Sequence, residues 1–200
     1  MVAPAVVIDV SQQAAENRDY EMTVDDIVAW EELHGQIPDG AVVFLFSDWA
    51  RRWPDFETYL GNADGDTTDM HFPGFSAAAA QWLVDNRVIY GVGTDCASPD
   101  HGPSLDFPVH LILLDLNIYS IENVNNLAQL PPVGATVFAL PMKIEGGSGA
   151  PCRLIARIPT DTEPPTDTES PSDSAIQTLL SSFLLKMCII GFAARTAFSL

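Results

Sequence analysis

Four histidines, His34, His71, His101 and His110, are the groups of this chain best suited to move a proton or hold a metal near neutral pH. His34 stands beside Gly35 at the end of a helical pattern, where an imidazole meets the negative helix C-terminus. His71 lies in HFPGF, where Pro73 and Gly74 impose a tight turn; it either pins that loop by a hydrogen bond or lines a pocket. Functional groups are denser in DCASPDHGPSLDFPVHLILLDLNIYSIE, from Asp95 to Glu122. Asp95 follows a strand, where α/β proteins place functional groups. Asp100, His101 and Asp106 share a Gly/Pro-rich loop, His110 opens an apolar segment and Glu122 closes a strand. A histidine on a helix and a glutamate at a strand end can converge, and that pair suits zinc or manganese. A core histidine and a surface glutamate would read the same way.

Nucleophilic chemistry has less support. The chain has no GxSxG and no HExxH. Cys96 lies just after a strand with His101 downstream, which is open to a Cys/His pair and to a buried structural thiol. GGSG at Gly146–Gly149 lacks the lysine and helix of a phosphate loop and reads as a turn between strands. Trp49, Trp53, Arg51 and Arg52 either line an aromatic-acid pocket or clasp a loop. The cysteines, Cys96, Cys152 and Cys188, are too few and too scattered for a disulfide framework, and they form no CxxC, which excludes a zinc knuckle.

The elements that must position these groups alternate along the chain. Ala5–Val10 and Ala41–Phe46 read as strands, and the second, AVVFLF, is apolar throughout, so both its faces should be buried. Thr23 predicts an N-cap, with Asp25 and Asp26 in the first turn of a helix reaching Gly35. A long loop is expected from Asp48 to Gly74, followed by a Ser76-capped helix, AAAAQWLVDN. Further strands are predicted at Val88–Val92, Ile118–Ile121, Thr136–Leu140 and Cys152–Ile158, with a helix at His110–Leu114. This alternation is that of an α/β domain.

Composition sets the limits around that domain. The chain has 200 residues, is 47% hydrophobic and carries 27 Asp plus Glu against 9 Lys plus Arg, a formal charge of −18. Such a surface repels phosphate backbones, so no nucleic-acid partner is expected. Residues 1–158 read as the globular domain. Residues 159–173, PTDTEPPTDTESPSD, have too little apolar surface to offset chain entropy and read as a disordered linker. Residues 174–200 form an apolar tail interrupted by Lys186 and Arg195. Three readings of the tail stay open: a processed lipid-anchor signal, a marginal membrane anchor, and a variant C-terminus without function. Localisation follows the tail: extracellular or membrane-anchored through it, otherwise cytoplasmic.

Six landmarks then fall in one order: AVVIDV, IPDGAVVFLFSDWARRW, HFPGFSAAAAQWLVD, GVGTDCASPDHGPSLDFPVH, NIYSIENVNNLAQLPP and FALPMKIEGGSGAPCRLIA. Together they resemble the metal-dependent cyclase family, which includes bacterial-type kynurenine formamidase and isatin hydrolase. The resemblance covers about residues 3–158. It implies a swivelling β/β/α domain that assembles into homo-oligomers and hydrolyses an amide or lactam carbon–nitrogen bond with zinc or manganese. The formamidase member turns N-formyl-L-kynurenine into L-kynurenine and formate, a step of tryptophan catabolism. The family draws metal ligands from an N-terminal HxGTHxDxPxH segment, whose last histidine is the acid/base, and from a later His and Glu. His110 in DFPVH and Glu122 in SIENV match that later pair.

The sequence departs from the family in one respect: HxGTHxD does not occur in it. The reading therefore expects an N-terminally incomplete domain, metal held weakly or not at all, and no catalytic residue in this chain. Three functions remain open at this point. The chain is a short form of a formamidase-like hydrolase, a non-catalytic module that pairs with a full-length subunit, or a product without an independent role.

Overall fold

The computed structural model describes residues 1–159. Its elements in order are β1 (Val2–Asp9), α1 (Ser11–Glu16), β2 (Glu21–Met22), α2 (Val24–His34), β3 (Ala41–Phe46), a 3-10 turn (Ala50–Arg52), α3 (Phe56–Leu60), β4 (Gly74–Phe75), α4 (Ala77–Asn86), β5 (Ile89–Thr94), α5 (Pro108–Asp115), β6 (Tyr119–Ile121), a second 3-10 turn (Leu127–Gln129), β7 (Thr136–Pro141) and β8 (Cys152–Arg157). Six strands form one mixed sheet in the order β6-β5-β3-β1-β7-β8, and β2 pairs with β4 in a separate two-stranded piece. From β6 to β1 all neighbours are parallel. The β7–β8 hairpin joins antiparallel to β1.

Period-two alternation sorts side chains onto the two faces of the sheet. Val6 and Ile8 of β1, Val43 and Leu45 of β3 and Val92 of β5 pack against Ile27 and Trp30 of α2, Ala79, Ala80 and Leu83 of α4, and Val109 and Leu113 of α5. Their neighbours Ala5 and Val7, with Val42 and Phe44, point the other way and meet Val124, Leu127, Ala135 and Val137. Parallel strands need helical crossovers, and these cover one face. The other face is closed by the 3-10 segment after β6 and by the hairpin. A mixed α/β domain is thus what the sequence predicts, and β3 is buried on both faces as its apolar run requires.

The helix starts also follow from sequence. The Thr23 hydroxyl accepts the Asp26 N–H, and the Asp26 carboxylate accepts the Thr23 N–H in return, closing a capping box on α2. Ser76 accepts the Ala79 N–H at the start of α4.

Three details differ from expectation. β1 starts at Val2 rather than Ala5, because its first residues pair antiparallel with β7 while Ala5–Asp9 pair parallel with β3. Pro4 sits at that change of partner, where its missing N–H is tolerated. The expected loop Asp48–Gly74 contains a 3-10 turn and the short helix α3, whose Tyr59 is buried against Trp49 and Phe72. The helix α1 has no apolar stripe, and only Ala14 of it is buried. Among the described residues no helix is long and apolar enough to cross a membrane. Residues 160–173 of the expected linker and the expected tail 174–200 lie outside the described residues.

Candidate functional site

The parallel strands β3, β5 and β6 end side by side, and each is followed at once by a polar residue: Ser47, Asp95 and Glu122. This edge is where open α/β sheets carry their chemistry.

Asp95 is spent on structure. It is buried, and its carboxylate accepts the Ser47 N–H at 3.0 Å, the Ser47 hydroxyl at 2.7 Å and the Trp49 N–H at 2.7 Å. Burial pushes its carboxyl up, against the lowering effect of those hydrogen bonds. Cys96 is likewise inert. Its thiol is fully buried, lies 3.3 Å from the Ser47 hydroxyl, and is pushed up by burial. His101 lies against Glu21 at 3.6 Å, so the two alternatives for Cys96 resolve to the structural thiol.

Trp49 is buried, donates its indole N–H to the Tyr59 carbonyl at 2.8 Å, and carries the Arg52 guanidinium over its ring. Trp49 and Arg52 therefore clasp the loop. Arg51 pairs with Asp48, and Trp53 is exposed beside the rings of Phe56 and Tyr59. His71 pins its loop, with Nδ1 2.9 Å from the Asp19 carboxylate. His34 lies tilted against the Trp30 ring at the end of α2. Gly146–Gly149 lies between β7 and β8, as a turn should.

His110 and Glu122, the pair singled out in the sequence, do come together. The His110 Nε2 lies 3.5 Å from the Glu122 Oε1, and its Nδ1 lies 2.7 Å from the Asp100 Oδ2. Pro108 opens α5 and places His110 in the first turn, with its ring edge-on to Phe107. Glu122 hangs on the turn after β6. Asn123 there adopts a left-handed backbone, donates its N–H to the Cys96 carbonyl at 2.8 Å, and accepts the Tyr59 hydroxyl at 2.8 Å. Burial raises the Glu122 carboxyl, while the adjacent His110 draws it down.

Both residues open onto a cavity of about 1220 Å³ beneath the hairpin, walled by Tyr119, Leu127, Val137 and Leu154 among others. Among the described residues the hydroxyls of Tyr119 and Ser120 in that wall are buried without a hydrogen-bond partner.

The pair fits a metal by one geometric criterion. Two ligand atoms bound tetrahedrally at about 2.0–2.1 Å stand roughly 3.4 Å apart. The observed 3.5 Å agrees. Among the described residues no group of three His, Cys, Asp or Glu is arranged to hold an ion.

The sequence pointed to His110 and Glu122, which the fold brings within 3.5 Å of each other, and not to the residues that hold them. Asp100 was visible only as a loop residue. Its role is signalled weakly by its position ahead of a proline-opened helix that lacks its own cap. Tyr59 has no local signal, because it reaches Asn123 across 64 residues of chain.

A mixed α/β sheet carries, beyond the ends of its parallel strands, a histidine on α5 and a glutamate after β6 that meet beside a cavity. This chain belongs to the Cyclase family, whose model matches residues 1–101. It is similar to isatin hydrolase of Roseibium aggregatum, 36% identical over 163 residues, which are 80% of this chain and 60% of that protein. It is also similar to kynurenine formamidase of Salinibacter ruber, 44% identical over 66 residues, 33% of this chain and 31% of that one. Among solved structures it superposes on isatin hydrolase A from Ralstonia solanacearum with a TM-score of 0.74 at 41% identity, covering 79% of this chain and 60% of that chain. The chain thus spans at most about three fifths of the length of these relatives, which are hydrolases.

Proposed function

We propose that this domain serves the hydrolysis of an amide or lactam carbon–nitrogen bond in a small molecule, with His110 and Glu122 holding a divalent ion, zinc or manganese. The observation that carries the reading is the 3.5 Å approach of the His110 Nε2 to the Glu122 Oε1 in the cavity wall. A divalent ion bound there supplies a Lewis acid for the carbonyl and a water that ionises near neutral pH. His110 would contribute a ring nitrogen and Glu122 a carboxylate oxygen, whose negative charge would offset part of the ion's. The side chains of Leu127, Val137 and Leu154 in the cavity wall would meet the hydrocarbon part of the substrate. No acid or base is assigned among the residues of this chain.

The relatives support two substrate types, an isatin-like lactam and an N-formylkynurenine-like amide. The greater coverage of the isatin hydrolase favours the lactam. The family reading also carries the swivelling β/β/α description of the domain and assembly into homo-oligomers, which sedimentation tests.

The direct test is calorimetric titration of the full chain with Zn²⁺ and Mn²⁺, alongside His110→Ala and Glu122→Gln. Each substitution is expected to weaken binding at least about tenfold. Equal affinity in all three proteins would overturn the ligand assignment. Assays of the metal-loaded chain with isatin and with N-formylkynurenine then decide the substrate, and turnover of neither would remove the hydrolase reading for this chain.

A further inference from the structure

We propose that Asp100 is the positioning residue of the His110–Glu122 pair: it holds His110 as the Nδ1–H tautomer and so turns a bare Nε2 toward Glu122. The inference rests on the metal-ligand reading for its use, but its geometry stands alone.

Asp100 is 1% exposed. Its Oδ1 accepts the Val109 N–H at 2.8 Å, and its Oδ2 accepts the His110 N–H at 3.2 Å. The same Oδ2 faces the His110 Nδ1 at 2.7 Å. A carboxylate has acceptors only, so the ring atom across that short distance must carry the proton. A neutral ring protonated on Nδ1 keeps its lone pair on Nε2. That lone pair looks at the Glu122 Oε1, a second acceptor, 3.5 Å away. Two acceptors turned toward each other repel unless a proton or a metal ion lies between them, and a carboxylate behind the histidine is the usual support for a metal-facing nitrogen.

One carboxylate fixes two things here. Phe107 at the head of α5 gives no side-chain cap, and the first N–H groups of a helix need acceptors. Asp100 supplies them from the preceding loop, so the start of the helix and the orientation of the ring are set by the same group. Asp100 is in turn fixed from outside α5. It forms a bridge with Phe75 of β4, and its N–H donates to the Ser98 hydroxyl at 3.2 Å.

Asparagine cannot replace it. An amide has one acceptor oxygen, so either the Val109 N–H or the ring Nδ1–H would face an NH₂ group. Asp100→Asn should release the ring to the Nε2–H tautomer or to another orientation.

The test is long-range ¹H–¹⁵N spectroscopy of the histidine rings in the full, metal-free chain at about pH 8, where an ordinary imidazole is neutral. His110→Ala assigns the signal, and far-UV circular dichroism checks folding. The expected result in the unsubstituted chain is a protonated Nδ1 and an unprotonated Nε2 on His110, which needs no Asp100 variant to be read. In Asp100→Asn the population should move toward Nε2–H, and Zn²⁺ affinity should fall about 10- to 100-fold. Asp106→Asn, exposed in the same loop, should change neither. An Nε2–H tautomer or a doubly protonated ring in the unsubstituted chain overturns the proposal, as does an unchanged tautomer in folded Asp100→Asn. If the tautomer shifts as expected while the unsubstituted chain binds no zinc, the positioning role stands and the metal reading of the pair fails.

Discussion

At the residue scale, the same side-chain chemistry serves structure in one place and the candidate site in another, and the neighbours decide which. Asp95 and Asp100 are both buried carboxylates in one loop region. Asp95 spends its oxygens on the turn after β3, whereas Asp100 turns one oxygen to both the backbone N–H and the ring of a histidine that reaches the cavity. A third carboxylate, Glu31 on α2, is purely structural. Its Oε1 accepts the Arg87 Nε–H at 2.7 Å and the Ile37 N–H at 2.9 Å, and its Oε2 pairs with the other arm of the guanidinium. The Arg87 hydrogen bond holds the Glu31 carboxyl below its usual range, against burial. A carboxylate depressed in the folded state stabilises above its unfolded pKa of about 4.3, and that stability is lost as pH falls through the folded value. Glu31→Gln is therefore expected to cost about 1.5–3 kcal/mol at pH 7. Denaturant unfolding should show the gap between the two proteins closing below about pH 4. A gap that is the same at pH 7 and pH 3 would mean that the charge is not its source.

At the element scale, short pieces of structure hold the site residues in register. β4 is only two residues long, yet it fixes the segment that carries Asp100. A Cβ on Gly74 would lie 2.3 Å from the His101 nitrogen and 2.5 Å from the Asp100 carbonyl carbon. These are backbone atoms and cannot swing aside as a flexible side chain could. Gly74→Ala should therefore destabilise by about 1–3 kcal/mol. It should also move the Val109 and His110 amide resonances, because Asp100 must shift with its backbone. Gly149→Ala, where nothing lies within 4 Å, is the control. Amides of α5 that stay in place in Gly74→Ala would show that β4 does not govern the position of Asp100. The elements legible in sequence were those with local causes: the capping box of Thr23 and Asp26, the Ser76 cap, and the apolar run of β3. α3 was not legible, because its five residues are stabilised by the burial of Tyr59 against Trp49 and Phe72 rather than by a helical pattern of their own.

At the scale of the whole molecule, charge dominates. A formal charge of −18 with only 9 Lys plus Arg leaves most carboxylates without a cationic partner. Their mutual repulsion opposes the compact state and is screened by salt. The Debye length falls from about 30 Å at 0.01 M to about 8 Å at 0.15 M ionic strength. Tm should therefore rise by a few degrees across that range, measured with a neutral salt that does not bind specifically. A Tm that falls would mean that ion pairs such as Arg51–Asp48 outweigh the general repulsion.

The sequence by itself determined the mixed α/β class, the order of the main strands and helices and the ordered landmarks of the family, and it singled out His110 and Glu122, on which the proposed chemistry depends. Each of these is written in local signals: period-two alternation, helix caps, a proline at a helix start, residue types at family positions. Only the tertiary structure decided which of the other polar groups were committed elsewhere. It buried Asp95 and Cys96, turned Trp49 and Arg52 into a loop clasp, and brought Tyr59 to Asn123 beside Glu122. It also set the Asp100 carboxylate behind the His110 ring. The physical reason is that the hydrogen-bond partners of a buried polar group come from whichever strands and loops the sheet makes adjacent, and that adjacency is a property of topology rather than of neighbouring residues in the chain.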